Sequence, residues 1–133
     1  MEVDARTVYA AVGGGETFDR IVERFYAGVA HDPVLRPMYP GDLQESRRRL
    51  SLFLQQYFGG PSTYSAERGH PRLRMRHFPF AIGQAERDAW MRHMRDAVGA
   101  EQLPPEIETV LLDYFDRAAT FMINREGQAE APA

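Results

Sequence analysis

One histidine stands out by its setting. His77 closes the run Arg72-Leu73-Arg74-Met75-Arg76-His77 and is followed by Phe78-Pro79-Phe80. A neutral imidazole is a good ligand for iron held in a planar macrocycle, provided a short, rigid carrier aims the ring. Leu73 and Met75 would then lie beside the macrocycle, and the arginines near its edge. The same spacing also describes a surface histidine in a basic loop, and spacing alone does not choose between the two.

The arginines form a second group. Arg68, Arg72, Arg74 and Arg76 fall in one short stretch with His70. Such a cluster suits a nucleic-acid backbone, a pair of carboxylates gripped in bidentate fashion, or a solvated charged face. The net charge of −3 and the neighbouring Met and Phe residues count against nucleic acid. A third group is aromatic with polar tips: Tyr26, Tyr39, Tyr57 and Trp90. A buried phenol or indole N–H needs a hydrogen-bond partner. A small bound ligand such as dioxygen would serve, and so would a backbone carbonyl.

Other chemistry is excluded by composition. The 133 residues contain no cysteine, so disulfides, thiolate metal sites and covalent haem attachment through Cys-x-x-Cys-His are absent. All 16 basic residues are arginine, which removes lysine Schiff-base chemistry. No His-Glu-x-x-His, phosphate-binding Gly loop, Gly-x-Ser-x-Gly or EF-hand loop occurs. No segment has the order of a signal peptide or the ~20 apolar residues of a membrane span, so a cytoplasmic protein without membrane contact is expected.

The elements that must position these groups read as helices. A short helical stretch, about residues 5–12, is broken by Gly13-Gly14-Gly15. Phe18, Ile21, Val22, Phe25, Tyr26 and Val29 then share one helix face. Asp32-Pro33 has the form of an N-cap with proline in the first turn, opening a short element that stops at Tyr39-Pro40. Leu43, Ser46, Leu50, Phe53, Leu54 and Tyr57 define a third face, which ends at Gly59-Gly60-Pro61. Residues 62–69 have the composition of a loop, and 72–77 allow a turn or two of helix between Pro71 and Pro79. A long helix spans about 84–99, and a last one begins near Pro104-Pro105. No two-residue alternation is sustained, so no sheet is expected. The tail from Arg125 to Ala133 is small and polar.

The order of these features resembles the truncated haemoglobins, and among them the second group. The resemblance covers roughly residues 9–124. Its densest parts are Ala11-Val12-Gly13-Gly14, Arg24-Phe25-Tyr26, Asp32 to Pro40, Gln56-Tyr57-Phe58-Gly59-Gly60-Pro61-Ser62-Thr63-Tyr64, Arg68 to His77, and Glu86-Arg87-Asp88-Ala89-Trp90. It implies an all-α two-over-two helical sandwich over residues 1–124 around one haem b; the tail 125–133, outside the resemblance, is expected to be disordered from its composition. It implies His77 as the axial ligand. It places Tyr26, Tyr39, Ser46, Leu50 and Trp90 around the bound ligand. Phe53, Leu54, Tyr57, Phe80 and Ile82 would pack on the porphyrin with Trp90, and Arg49 and Arg76 would reach the propionates. Ser46 falls where larger globins keep a distal histidine, so hydrogen bonds to a ligand would come from Trp90 and the two tyrosines.

The resemblance further implies binding of dioxygen, carbon monoxide or nitric oxide, for storage, delivery or sensing. Two other readings stay open. One is a redox enzyme turning over nitric oxide with dioxygen, or peroxide, with electrons from a separate reductase. The other is a haem-free helical signalling module. A homodimer is compatible with either.

Overall fold

The computed structural model describes residues 4–125, and among them every regular element is helical. Residues 126–133, most of the polar tail, lie outside the described residues. A 3-10 turn, Ala5–Thr7, leads into α1, Val8–Ala11. Gly13 and Gly14 take φ of 94° and 90°, a left-handed bend that side chains disfavour, and α2 starts at Gly15 and runs to Val29. A 3-10 turn, Arg36–Met38, precedes α3, Gln44–Tyr57. Two short helices follow, α4 (Thr63–Arg68) and α5 (Leu73–His77). The long helices α6 (Gln84–Gly99) and α7 (Pro105–Phe121) complete the domain.

Helix α2 packs on both α3 and α6, and α6 packs on α7, which gives the two pairs of a two-over-two sandwich. The core between them holds Phe18, Ile21, Phe25, Leu54, Phe58, Met91, Met94, Leu111 and Phe115, each at most 1% exposed. These are the positions that a 3.6-residue period places on inward faces. At the outer edge Glu101, just beyond α6, is clasped by Arg20 and Arg24 of α2. Gly59 closes the turn after α3 at φ 103°. A β-carbon there would stand 1.9 Å from the carbonyl oxygen of Arg6, so the amino-terminal turn docks where only glycine leaves room.

The composition of residues 62–69 predicts a loop, and the structure corrects this. Thr63–Arg68 is helical because distant side chains hold it. Gln56 of α3 accepts from the Ser65 amide and donates to its hydroxyl. Arg48 grips Glu67 through two hydrogen bonds, and Tyr64 is buried against Phe53. Tertiary partners here override weak local propensity.

Candidate functional site

A cavity of about 540 Å³ opens between α3, α5, α6, α7 and the 3-10 turn before α3. That lies within the usual range for a small-molecule or cofactor site. Twelve of the residues singled out from the sequence line it: Tyr26, Tyr39, Ser46, Arg49, Leu50, Phe53, Leu54, Arg76, His77, Phe80, Ile82 and Trp90. Tyr57 does not. Its ring leaves the cavity and lies on Tyr114, with centroids 4.1 Å apart, and it is Tyr114 that faces the space. Leu73, expected beside the macrocycle, lines it, whereas Met75 is exposed; Leu35, Met38, Tyr64 and Met122 also line it without having been singled out as site residues. Tyr64 and Tyr114 carried the same signal as Tyr26, a phenol among apolar residues.

One wall is built on α5. This helix is five residues long, too short to hold itself, and side chains secure its surroundings. Arg72 enters it with φ 44°, a left-handed conformation that a branched chain rarely adopts. Its amide donates to His70 Nδ1. The Arg76 guanidinium donates to the carbonyls of Pro71, Arg68 and His70, tying the turn before the helix to its end. Arg74 donates to the carbonyls of Phe121 and Ile123, and so fixes α5 to the end of α7. Asn124 closes the far side. It donates to the carbonyls of His77 and Phe80 and accepts from the Ile82 amide.

This framework holds His77 in one orientation. Its Nδ1 lies 2.7 Å from the Leu73 carbonyl, which can only accept, so Nδ1 carries the proton. Nε2 is left as an unprotonated donor of an electron pair. Such a second hydrogen bond on a ligating imidazole sets its tautomer and raises its basicity.

The opposite wall is aromatic. Tyr26 on α2, Tyr39 after the 3-10 turn and Trp90 on α6 come from three separate elements. The Tyr26 and Tyr39 rings meet edge to face at 5.5 Å, and Trp90 packs on Phe25 and Phe115. Burial pushes the Tyr26 phenol far above its ordinary value. Burial also raises Tyr39, to about 12, although the neighbouring Trp90 indole and Tyr26 hydroxyl pull it down. Both phenols are therefore neutral donors at physiological pH. Ser46 is buried and lines the same space.

The donor set tests what the cavity can hold. Among the described residues no three His, Cys, Asp or Glu side chains gather to bind a bare metal ion. A single imidazole suffices when a macrocycle supplies the remaining in-plane ligands. The apolar walls suit the faces of that macrocycle. Arg49, Arg68 and Arg76 line the cavity with charge that suits carboxylates at its edge.

Comparison with known proteins decides the family. A sequence model of the bacterial-like globins matches residues 7–124. The group 2 truncated hemoglobin YjbI of Bacillus subtilis is 42% identical over 117 residues, 88% of each chain. This chain belongs to the group II truncated haemoglobins. Two solved relatives agree with its fold. A thermostable hemoglobin from Thermobifida fusca is 59% identical with a TM-score of 0.87, covering 88% of this chain and 96% of that one. The truncated oxygen-avid haemoglobin from Bacillus subtilis is 42% identical with a TM-score of 0.84, covering 88% and 98%. For this truncated haemoglobin, family membership brings a haem cofactor and haem-based binding of diatomic ligands. His77, Tyr26, Tyr39 and Trp90 all line the one cavity.

Proposed function

We propose that this truncated haemoglobin holds one haem b through His77 Nε2 and retains dioxygen tightly on the opposite, aromatic side. When bound, the haem supplies an iron with one open coordination position for a diatomic molecule. The protein supplies the rest. Leu73 fixes the His77 tautomer. Phe53, Leu54, Phe80 and Ile82 exclude water from the porphyrin faces, and Arg49 and Arg76 meet its propionates.

The observation that carries the reading is the junction of Tyr26, Tyr39 and Trp90. The Tyr26 and Tyr39 rings meet edge to face, and Tyr26, Tyr39 and Trp90 all line the one cavity. Burial keeps both phenols neutral, so each has a proton to offer a guest there, beside the Trp90 N–H. Several donors converging on one small guest in a low-dielectric space strengthen one another. Partial negative charge on bound dioxygen is thereby stabilised, and release slows. The oxygen-avid character printed for the Bacillus subtilis relative is in keeping with this. Slow release suits a sensor, scavenger or store better than a rapid carrier.

Absorption spectra of the ferric, ferrous and oxygenated protein, with the dioxygen release rate from the last, test the reading. A Soret band and slow release are expected. Release as fast as that of a rapid carrier overturns the retention, and absence of a Soret band overturns the site.

A further inference from the structure

Outside the cavity, one buried polar group has no role in the site as described. Asp32 sits between the end of α2 and the 3-10 turn, with its side chain 5% exposed. Its Oδ2 lies 2.6 Å from His93 Nε2 on α6, and the His93 side chain is 19% exposed. Its Oδ1 accepts from the amides of Val34 and Leu35. Both carboxylate oxygens are thus engaged, and the His93 hydrogen bond above all holds the Asp32 pKa below the ordinary carboxylate range. Arg92 also reaches Oδ2, but from an exposed position where solvent screens it.

The neighbouring backbone is shaped for this contact. His93 lies against Gly28 of α2, and a β-carbon on Gly28 would stand 2.4 Å from His93 Nδ1. A glycine inside a helix costs roughly 0.5–1 kcal/mol relative to alanine. Here it admits the ring. Three elements therefore meet at one point: α2 through Gly28, the turn through Asp32, and α6 through His93.

From Asp32 an unbroken series of hydrogen bonds leads to the aromatic wall. The Arg36 amide donates to the Asp32 carbonyl, the Met38 amide to Leu35, and the Tyr39 amide to Arg36. Leu35, Met38 and Tyr39 all line the cavity. On the other side, Trp90 precedes His93 by three residues on α6, one turn away. The same two elements thus meet at Asp32 and His93 outside the cavity, and both line its wall, one through Tyr39 and the other through Trp90.

We infer that Asp32 and His93 are positioning residues, a buried clamp that holds the turn carrying Tyr39 in register with Trp90 and so sets the strength of ligand retention. The ligand-retention part rests on the function proposed above. The clamp itself does not, because it concerns the packing of the turn on α6. Loss of the clamp leaves Asp32 joined to α6 only by the exposed Arg92 and loosens the turn, while His77 and its wall are untouched.

The experiment uses the haem-loaded protein and three variants: His93→Leu, His93→Gln and Gly28→Ala. Leucine removes the N–H. Glutamine keeps one within reach of Asp32. Alanine displaces the ring without changing either polar partner. Amide hydrogen exchange over residues 34–39 and dioxygen release are measured on each. His93→Leu and Gly28→Ala are expected to speed both, release by about threefold to tenfold, the range for one lost hydrogen bond. His93→Gln is expected to restore both towards the parent. Unchanged exchange over 34–39 in His93→Leu overturns the clamp, as does failure of glutamine to restore it. If His93→Leu does not fold, Gly28→Ala against His93→Gln decides on the same two readouts. If exchange responds and release does not, the link to ligand retention is overturned. If the parent protein fails to retain dioxygen, the proposed function falls, and the exchange measurements still decide the clamp.

Discussion

The two walls of the haem cavity are built by opposite strategies. The His77 wall is short, cationic and largely irregular, and side chains hold it by donating to backbone carbonyls. The wall of Tyr26, Tyr39 and Trp90 stands on long helices and the turn between them, fixed by aromatic packing and burial. Orienting a single ligand atom needs a rigid local cage, which hydrogen bonds of fixed geometry provide. Holding several donors around a small guest needs elements that converge from far apart in the chain, which only packing provides. The first wall therefore fails one bond at a time, whereas the second fails as a unit.

His77→Ala is the most severe way to break the contrast. It removes the proposed axial nitrogen and leaves the aromatic wall intact. Loss or displacement of the Soret band, with helical content retained by far-UV circular dichroism, is the expected outcome. Next in size are Tyr39→Phe and Trp90→Phe. Each removes one donor, worth about 0.5–1.5 kcal/mol, so each should speed dioxygen release roughly threefold to tenfold. Because both act through one connected set, the double variant should fall short of the product of the singles in stopped-flow measurements. Strict multiplicativity would show that the wall does not act as a unit.

Arg76→Ala probes the other strategy. Three carbonyls lose a charged donor, and a destabilisation of about 1–3 kcal/mol is expected in urea unfolding of the haem-loaded protein. Haem transfer to an acceptor protein should quicken, while dioxygen release stays near the parent value. The smallest effect is on acid stability. Glu101 is held below its ordinary pKa by Arg20 and then Arg24, and Asp32 by His93. Lowered native values mean that the unfolded chain binds protons first. The stabilisation is present above the unfolded-state values of about 4 and is lost as pH falls through the native ones. Urea midpoints should therefore decline below about pH 4, and Glu101→Gln should flatten that decline.

Much of the architecture was legible in the sequence because its helices are amphipathic with a clear 3.6-residue period, as Phe18 to Val29 shows. The glycines at 13, 14, 59 and 60 marked the breaks correctly. Helix α4 was not legible, because it depends on Gln56 and Arg48, partners from another element that no local pattern reveals. The site was legible where a residue sits on an inward helix face, as for Tyr26, Leu50 and Trp90. Tyr57 ends α3 on the same face as Leu50 and Phe53, yet its ring stacks on Tyr114 of α7 and leaves the cavity lining to that residue, a partner no local pattern reveals. The buried pairing of Asp32 with His93 joins residues 61 apart and leaves no trace in either neighbourhood.

The bonds from Asn124 have a consequence for how the protein is made. They span 47 residues back to His77, so that loop can be fastened only after nearly the whole domain has left the ribosome. At ordinary elongation rates the delay is roughly 2–9 s. During that interval the nascent chain carries His77, the proposed iron ligand, on an unfastened segment. Cofactor capture would thereby wait until this domain is nearly complete, when the aromatic wall is also assembled.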